Sequence, residues 1–457
     1  MTKNEGNAVA GRAARLCRAF EKASFRMPYA DQRKGFTLKP GAFFSILLIN
    51  PFMQFIDLAT QQKKIKSQID SRIQAVLNHG AYIMGPEGKE LEGRLAEFVG
   101  IKHAIGCASG TDALLMALMV FNVGPGDAIL TSPFTFIATA EVISLLGATP
   151  IFVDIDPKTF NINPDKLEQA LEALKSDDRT LHPLPKASTP NFSSQASSLK
   201  PHPVPLTPRG IIAVDLFGLP ADYDRITAIA RKHNLFLVED AAQSFGAEYK
   251  GQKACAFGQI ACTSFFPAKP LGGYGDGGMC FTSDDALAFQ LDSIRIHGKG
   301  GHKYDHARLG INGRLDTLQA AILLAKFEIF PEEVELRQQI ARNYTVLLAS
   351  KPELVTPVIP SGCQSVWAQY SLLAADEAQR TAFMDRLKTE GIPTAIYYPK
   401  PLHLQTAFAG LGYKPGDFPI SEDYAKRIFS LPMHPYLSID DQEKIARVLS
   451  GRNILEL

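Results

Sequence analysis

The chain has 457 residues, 46% hydrophobic and 21% charged, a globular balance that excludes a mostly disordered chain, a collagen-like rod and a coiled coil. Its 48 Lys and Arg offset 47 Asp and Glu to leave a formal charge of +1, so no overall field draws in nucleic acid or an anionic membrane. The six cysteines include no C-x-x-C pair and read as reduced thiols of a cytoplasmic protein, and no apolar run reaches the roughly 20 residues that cross a bilayer.

Residues 1–52 carry nine Lys and Arg against three Asp and Glu. They show no period before the short apolar run 42–49, so they read as a basic, poorly ordered extension, and the fold is expected to start at Met53. Ile65, Ile69, Ile73, Val76 and Leu77 then form a helical stripe over 61–78, stopped by Gly80. A second helix turns Leu91, Leu95, Phe98 and Val99 inward and stops at Gly100. Beyond it, apolar runs at 128–130, 151–153, 211–214 and 235–238 read as buried strands. Helices are expected between them at 112–121 and 222–233, and Asn163-Pro164 supplies an N-cap and first-turn proline for another.

Residues 176–210 hold seven prolines and six serines and are expected to be a long exposed insertion before a strand at Ile211. A helical pattern runs on from Thr317, bent or broken by Pro331. The alternation predicts an α/β fold with a mainly parallel sheet. The expected domains are a large one over 53–330 and a smaller C-terminal α+β domain over 331–457.

Three places could carry chemistry. Ser109-Gly110-Thr111-Asp112 follows a short strand and opens a helix, where backbone N–H groups and the dipole suit a phosphate. An ordinary capped helix reads the same way. Val238-Glu239-Asp240 drives an apolar strand into two acids at the edge where open α/β sheets gather ligands. Lys269, 29 residues after Asp240, follows an aromatic strand and precedes glycines. An amine in an apolar site can lose its proton and attack a carbonyl. Pyridoxal phosphate needs these three parts: an amine for its aldehyde, an acid for its ring nitrogen, a helix start for its phosphate.

Two other patterns are set aside. Residues 273–278 match G-x-G-x-x-G, but the strand-like Met279-Cys280-Phe281-Thr282 follows where a dinucleotide site needs a helix. His297, His302 and His306 lack a matched acid or cysteine, so no metal site is expected.

The strings Ser109-Gly110-Thr111-Asp112-Ala113-Leu114, Glu239-Asp240-Ala241-Ala242-Gln243-Ser244-Phe245-Gly246, Ser264-Phe265-Phe266-Pro267-Ala268-Lys269 and Asn312-Gly313-Arg314-Leu315-Asp316-Thr317 resemble the DegT-type nucleotide-sugar aminotransferases. The resemblance runs from about Met53 to the C-terminal end, apart from the insertion. It implies a fold-type I pyridoxal-phosphate enzyme working as a homodimer with shared active sites. It makes Lys269 the Schiff-base lysine, Asp240 the partner of the pyridine nitrogen and Gln243 a contact of the ring hydroxyl. Gly110, Thr111 and Ser264 match the phosphate cradle, and Phe136 (not its neighbour Phe134) the aromatic that stacks on the ring. Asn312 matches an asparagine that reaches the phosphate from the partner subunit.

Phe55-Ile56-Asp57-Leu58, Tyr82-Ile83-Met84-Gly85-Pro86 and Ser430-Leu431-Pro432-Met433-His434-Pro435-Tyr436 further resemble enzymes that aminate UDP-2-acetamido-2-deoxy-ribo-hexuluronic acid at its C3 ketone, with L-glutamate as donor. Such sugars go into surface polysaccharide (O-antigen, lipopolysaccharide). Arg314 would then grip a carboxylate, and Tyr82, Tyr398 and His403 are candidate substrate contacts. Two alternatives stay open: another keto nucleotide sugar (4-keto-6-deoxy or 3-keto-6-deoxy), or a non-catalytic pyridoxal-phosphate-binding regulator.

Overall fold

A computed structural model describes residues 53–186, 206–302 and 304–451. The 1–52 extension and the middle of the proline-rich insertion lie outside the described residues.

Three helices open the fold: α1 (Leu58–Lys64), α2 (Lys66–His79) and α3 (Pro86–Val99). The expected single helix over 61–78 is broken at Ile65, which caps α1 and precedes α2. Apolar periodicity runs through the break because Ile65 and Ile69 stay buried on the same side. Gly80 and Gly100 end α2 and α3 with φ of 70° and 77°, the left-handed cap that favours glycine.

The alternating part runs β1 (His103–Cys107), α4 (Gly110–Val120), β2 (Asp127–Thr131), α5 (Ala138–Leu145), β3 (Thr149–Phe152), α6 (Pro164–Ser176), β4 (Thr207–Val214), α7 (Tyr223–Lys232) and β5 (Phe236–Asp240). Two short strands, β6 (Glu248–Tyr249) and β7 (Gln252–Lys253), precede β8 (Ile260–Ser264), β9 (Gly278–Thr282) and α8 (Asp285–Ile294). Seven strands form one sheet in the order β1-β9-β8-β5-β4-β2-β3. All neighbours are parallel except β9, which runs against both β1 and β8. Six strands therefore end at one edge of the sheet.

Both faces of the sheet are covered, which is why its strands are continuous apolar runs. Side chains still alternate. Ile129, Ile212, Val238 and Cys262 pack on the face under α4, α5 and α8. Leu130, Ile211, Ala213 and Leu237 pack on the other face with α6 and α7. Beside them Ala104, Ala261 and Phe281 meet α3 and the start of the C-terminal helices.

The insertion departs from expectation at both ends. His182 and Leu184 are buried, with His182 Nε2 2.8 Å from the Phe152 carbonyl oxygen. Strand β4 begins at Thr207 rather than Ile211, because the Thr207 N–H bonds the Gly126 carbonyl at 2.9 Å. Backbone pairing with β2 supports polar residues that no apolar pattern marks.

The long helical pattern after Thr317 is two helices, α9 (Thr317–Phe327) and α10 (Phe330–Leu348). Pro331 sits in the first turn of α10, where its missing N–H costs nothing. After β10 (Cys363–Gln364) come β11 (Tyr370–Leu373), α11 (Glu377–Thr389), α12 (Pro419–Arg427), β12 (Ile428–Leu431) and α13 (Ile439–Leu449). β11 and β12 pair antiparallel and share an apolar cluster with α10, α11 and α13. No helix among the described residues is long and apolar enough to cross a membrane.

Candidate active site

Strand β5 ends in Glu239 and Asp240, whose side chains leave on opposite faces. Asp240 is almost fully buried. Its Oδ2 accepts the Thr139 hydroxyl at 2.8 Å and its Oδ1 the Ala242 N–H at 3.2 Å. Burial pushes its carboxyl above the usual range, while the Thr139 and Ala242 donors and the nearby Lys269 charge act the other way.

The parallel neighbour β8 ends at Ser264, and Lys269 lies in the turn just beyond. That turn is tight: the Lys269 N–H bonds the Phe266 carbonyl at 2.8 Å. A Cβ on Gly272 would sit 2.4 Å from the Pro267 carbonyl oxygen. Lys269 is half-buried, and burial lowers its amine's pKa, opposed by the Asp240 carboxylate. Because β5 and β8 run the same way, the acid and the amine meet at one edge of the sheet, within electrostatic reach of each other.

The helix start lies beside them. Ser109 caps α4, accepting the Asp112 N–H at 3.0 Å. The first intrahelical bond is Ala113 N–H to the Ser109 carbonyl, so the Gly110 and Thr111 N–H groups are the open donors of the helix. A Cβ on Gly110 would lie 2.7 Å from the Ser264 Cβ, so glycine is what lets β8 and α4 approach this closely. Bare N–H groups, a dipole end and the Ser264 hydroxyl make an anion cradle beside Lys269.

Gln243 is pinned at both ends of its amide. Its Oε1 accepts the Phe217 N–H at 2.7 Å, and its Nε2 donates to the Tyr398 hydroxyl at 3.1 Å. Burial raises the Tyr398 hydroxyl's pKa, so Tyr398 stays neutral and orients Gln243. Phe134 and Phe136 part company. Phe134 is 1% exposed and Phe136 54%, so only Phe136 offers a free ring face, and Tyr398 stands 6.5 Å from it.

The other candidates fall into two groups. Arg314 bridges Cys107, and the Ala108 N–H bonds the Gly313 carbonyl at 3.1 Å. This lays the 312–314 segment along the end of β1, next to the cradle. Among the described residues Arg314 makes no ion pair, and its Nε is buried without a partner, a donor that a carboxylate could take. Asn312 is exposed on the same segment. Tyr82 is exposed and its carbonyl accepts the Thr317 N–H at 2.9 Å. His403 is set apart. Its side chain is fully covered, bonded to Glu422 at 3.0 Å and packed on Phe418, so it has no surface to offer a substrate.

Thr139, three residues after Phe136, is a site residue that no motif in the sequence singles out. Its position four residues after Thr135, on the first turn of a helix, was the available signal. Only the fold brings it to an acid 101 residues away.

The sequence profile of the DegT/DnrJ/EryC1/StrS aminotransferase family matches residues 63–450. A Pseudomonas aeruginosa protein named UDP-2-acetamido-2-deoxy-3-oxo-D-glucuronate aminotransferase is 47% identical over 401 residues, covering 87% of this chain and all of that one. A Geobacillus stearothermophilus protein named a pleiotropic regulatory protein is 41% identical over 397 residues, covering 86% of this chain and 97% of that one. Among solved structures, a DegT DnrJ EryC1 StrS aminotransferase from Brucella abortus superposes with a TM-score of 0.79 at 47% identity, covering 87% of this chain and 99% of that one.

Proposed function

This chain belongs to the DegT/DnrJ/EryC1/StrS aminotransferase family, and we propose that it moves an amino group from L-glutamate to the C3 ketone of a UDP-linked 2-acetamido-2-deoxy-hexuluronic acid. Pyridoxal phosphate is the carrier and the amino sugar goes to surface polysaccharide, O-antigen or lipopolysaccharide. The observation that carries this reading is the meeting of Lys269 and Asp240 at one sheet edge, beside the Gly110–Ser264 cradle. The Pseudomonas aeruginosa relative, named for a 3-oxo-glucuronate sugar, supports the choice of substrate.

The residues fit the cofactor. Gly110, Thr111 and Ser264 would hold its phosphate, Asp240 its ring nitrogen, Gln243 its ring hydroxyl and Phe136 its ring face. When bound, the cofactor supplies an aldehyde for amines and an electron-poor ring that takes up the electrons left by a departing Cα proton. Lys269 does the rest. Burial favours its neutral amine, so Nζ can hold the cofactor and, once released, take the proton from the donor's Cα and give it back on the other side of the transfer. Asp240 would favour positive charge on that ring nitrogen. Arg314 offers a planar fork to the carboxylate of glutamate or of the sugar. Tyr82 is available to the substrate, and Tyr398 acts through Gln243.

The same reading places the protein in the cytoplasm as a homodimer, with Asn312 completing the partner's phosphate site. It divides the chain into a cofactor-binding domain over 53–330 and a smaller one over 331–457.

The test is a spectral half-reaction. Glutamate added to cofactor-loaded protein should discharge the bound-cofactor absorbance and release 2-oxoglutarate. The 3-oxo sugar acid should then restore the band faster than a 4-keto-6-deoxy or 3-keto-6-deoxy nucleotide sugar. Restoration only by one of the latter reassigns the substrate. A second reading, a non-catalytic regulator, draws on the name of the Geobacillus relative. Tight cofactor binding with no response to glutamate or other amino donors would favour it.

A further inference from the structure

Behind Asp240 lies a second acid system that the proposed reaction does not use. Glu239 and Asp215 are both fully buried; the β4–β5 register, with Ala213 opposite Glu239 and Val214 opposite Asp240, sets their side chains on one face of the sheet, near enough for the Asp215 charge to act on Glu239. Neither forms an ion pair among the described residues. Glu239 Oε1 accepts the Cys255 N–H at 2.7 Å and Oε2 the Phe257 N–H at 2.8 Å. Asp215 Oδ1 accepts the Ala221 N–H at 2.9 Å and the Tyr223 hydroxyl at 2.7 Å, and its Oδ2 accepts the Ser244 hydroxyl at 2.7 Å.

Two neighbouring carboxylates buried without a cation do not both ionise, because each raises the cost of charge on the other. One proton must stay between them. Asp215 already collects three donors, two of them hydroxyls. Glu239 meets two backbone N–H groups and no hydroxyl donor, and it feels the Asp215 charge. The proton therefore belongs on Glu239, pointing at Asp215.

We propose that Glu239 is a neutral acid that donates its proton to Asp215, and that this pair is the positioning clamp for Asp240 and Gln243. Asp215 opens the turn after β4, and Asp240 opens the turn after β5. The clamp closes one on the other at three points. The Asp215 N–H bonds the Asp240 carbonyl at 3.1 Å, the Ser244 hydroxyl reaches Asp215, and the Phe217 N–H reaches Gln243. With the shared proton in place the buried pair carries a single negative charge, which spares Asp240 a second like charge behind it. Burial and then the Asp215 charge push the Glu239 carboxyl well up, in the same direction.

The positioning half rests on the amino-transfer reading; the acid pair does not. The pair is tested on cofactor-free protein by infrared spectroscopy at neutral pH, unlabelled and with isotope-labelled glutamate carboxyls. A carbonyl band of a protonated acid that moves with the glutamate label and disappears in Glu239→Gln is expected. No such band, or one that survives the substitution, overturns the pair. Should Glu239→Gln fail to fold, Ser244→Ala serves instead. Removing one donor makes Asp215 a stronger acceptor, so the labelled band should shift; an unmoved band overturns the contact. For positioning, Ser244→Ala and Tyr223→Phe in cofactor-loaded protein should shift the pH titration of the bound-cofactor absorbance. They should also lower kcat by about tenfold, as for groups that orient a ligand from behind, with KM for glutamate nearly unchanged, and Ser244→Thr should restore both. An unchanged titration and kcat, even with a lower Tm, overturns the clamp. A band on the free protein with no cofactor uptake at all would instead count against the function while leaving the pair standing.

Discussion

Among the described residues, two lysines have amines whose pKa burial depresses. Lys269 stands at the sheet edge, half-buried, and Lys326 stands in α9 with 1% exposure and a pKa lowered to about 8. Lys326 lies over the Tyr274 ring at 4.8 Å and feels the charge of Glu333. That acid is itself engaged by Gln61 at 2.9 Å and by the Tyr436 hydroxyl. A depressed amine alone therefore marks nothing. Lys269 differs in what converges on it: a carboxylate at the end of a parallel strand, an open helix start and an exposed aromatic ring. Lys326 is sealed in helix packing, and its region is built for holding helices together.

The strongest way to break the contrast is to exchange the losses. Lys269→Ala should cut amino transfer by at least about a thousandfold, the scale of removing a covalent nucleophile, with the fold intact by circular dichroism. Retained turnover without added amine would dissolve the distinction. Asp240→Asn keeps the shape and removes the charge, and kcat should fall by about 10²-fold, as for a buried group that stabilises developing charge.

The two neighbouring phenylalanines sharpen the same contrast between open and sealed positions. Phe134→Ala, in the core, should cost about 3–5 kcal/mol in denaturant unfolding. Phe136→Ala should cost less than about 1 kcal/mol, since little of its ring leaves water on folding, yet weaken cofactor affinity. The reverse pattern would move the stacking face to Phe134.

A buried histidine that lines the same pocket as Lys269 should also reveal itself by pH. His434 is 4% exposed, and burial, aided by the Arg337 charge, lowers its pKa to about 4, against opposition from Asp57 and the Gln54 backbone. A depressed histidine stabilises the fold above its unfolded value and loses that contribution as acid protonates the unfolded chain first. Unfolding free energy should therefore fall between about pH 6.5 and pH 4, by up to about 3 kcal/mol. His434→Gln should flatten that slope, and parallel curves for the two proteins would refute the assignment. The smallest effect belongs to Lys326→Met. Removing a buried charge should leave stability unchanged or raise it by about 1 kcal/mol, with turnover within about twofold of the parent.

The frame of this molecule was legible because local patterns and global structure agree. Apolar runs ending in Asp240 and Ser264, a capped glycine opening α4 and a lysine among aromatics each point to the same edge. What escaped were consequences of contact between distant segments. Thr139 reaches Asp240, Asp215 reaches Ser244, and His182 folds back on β3, and none leaves a local period. Ile65 broke a helix without breaking its stripe. His403 carried the right chemistry in a suggestive motif, but burial against Phe418 and Glu422 uses it for packing.

The central claim, that the open lysine and not the sealed one takes the cofactor, is tested most directly by fixing the bond in place. Protein loaded with pyridoxal phosphate is reduced with borohydride, digested and mapped by mass spectrometry. The pyridoxyl mass should fall on the peptide containing Lys269 and vanish in Lys269→Ala. A label on Lys326, or no stable label at all, would contradict it.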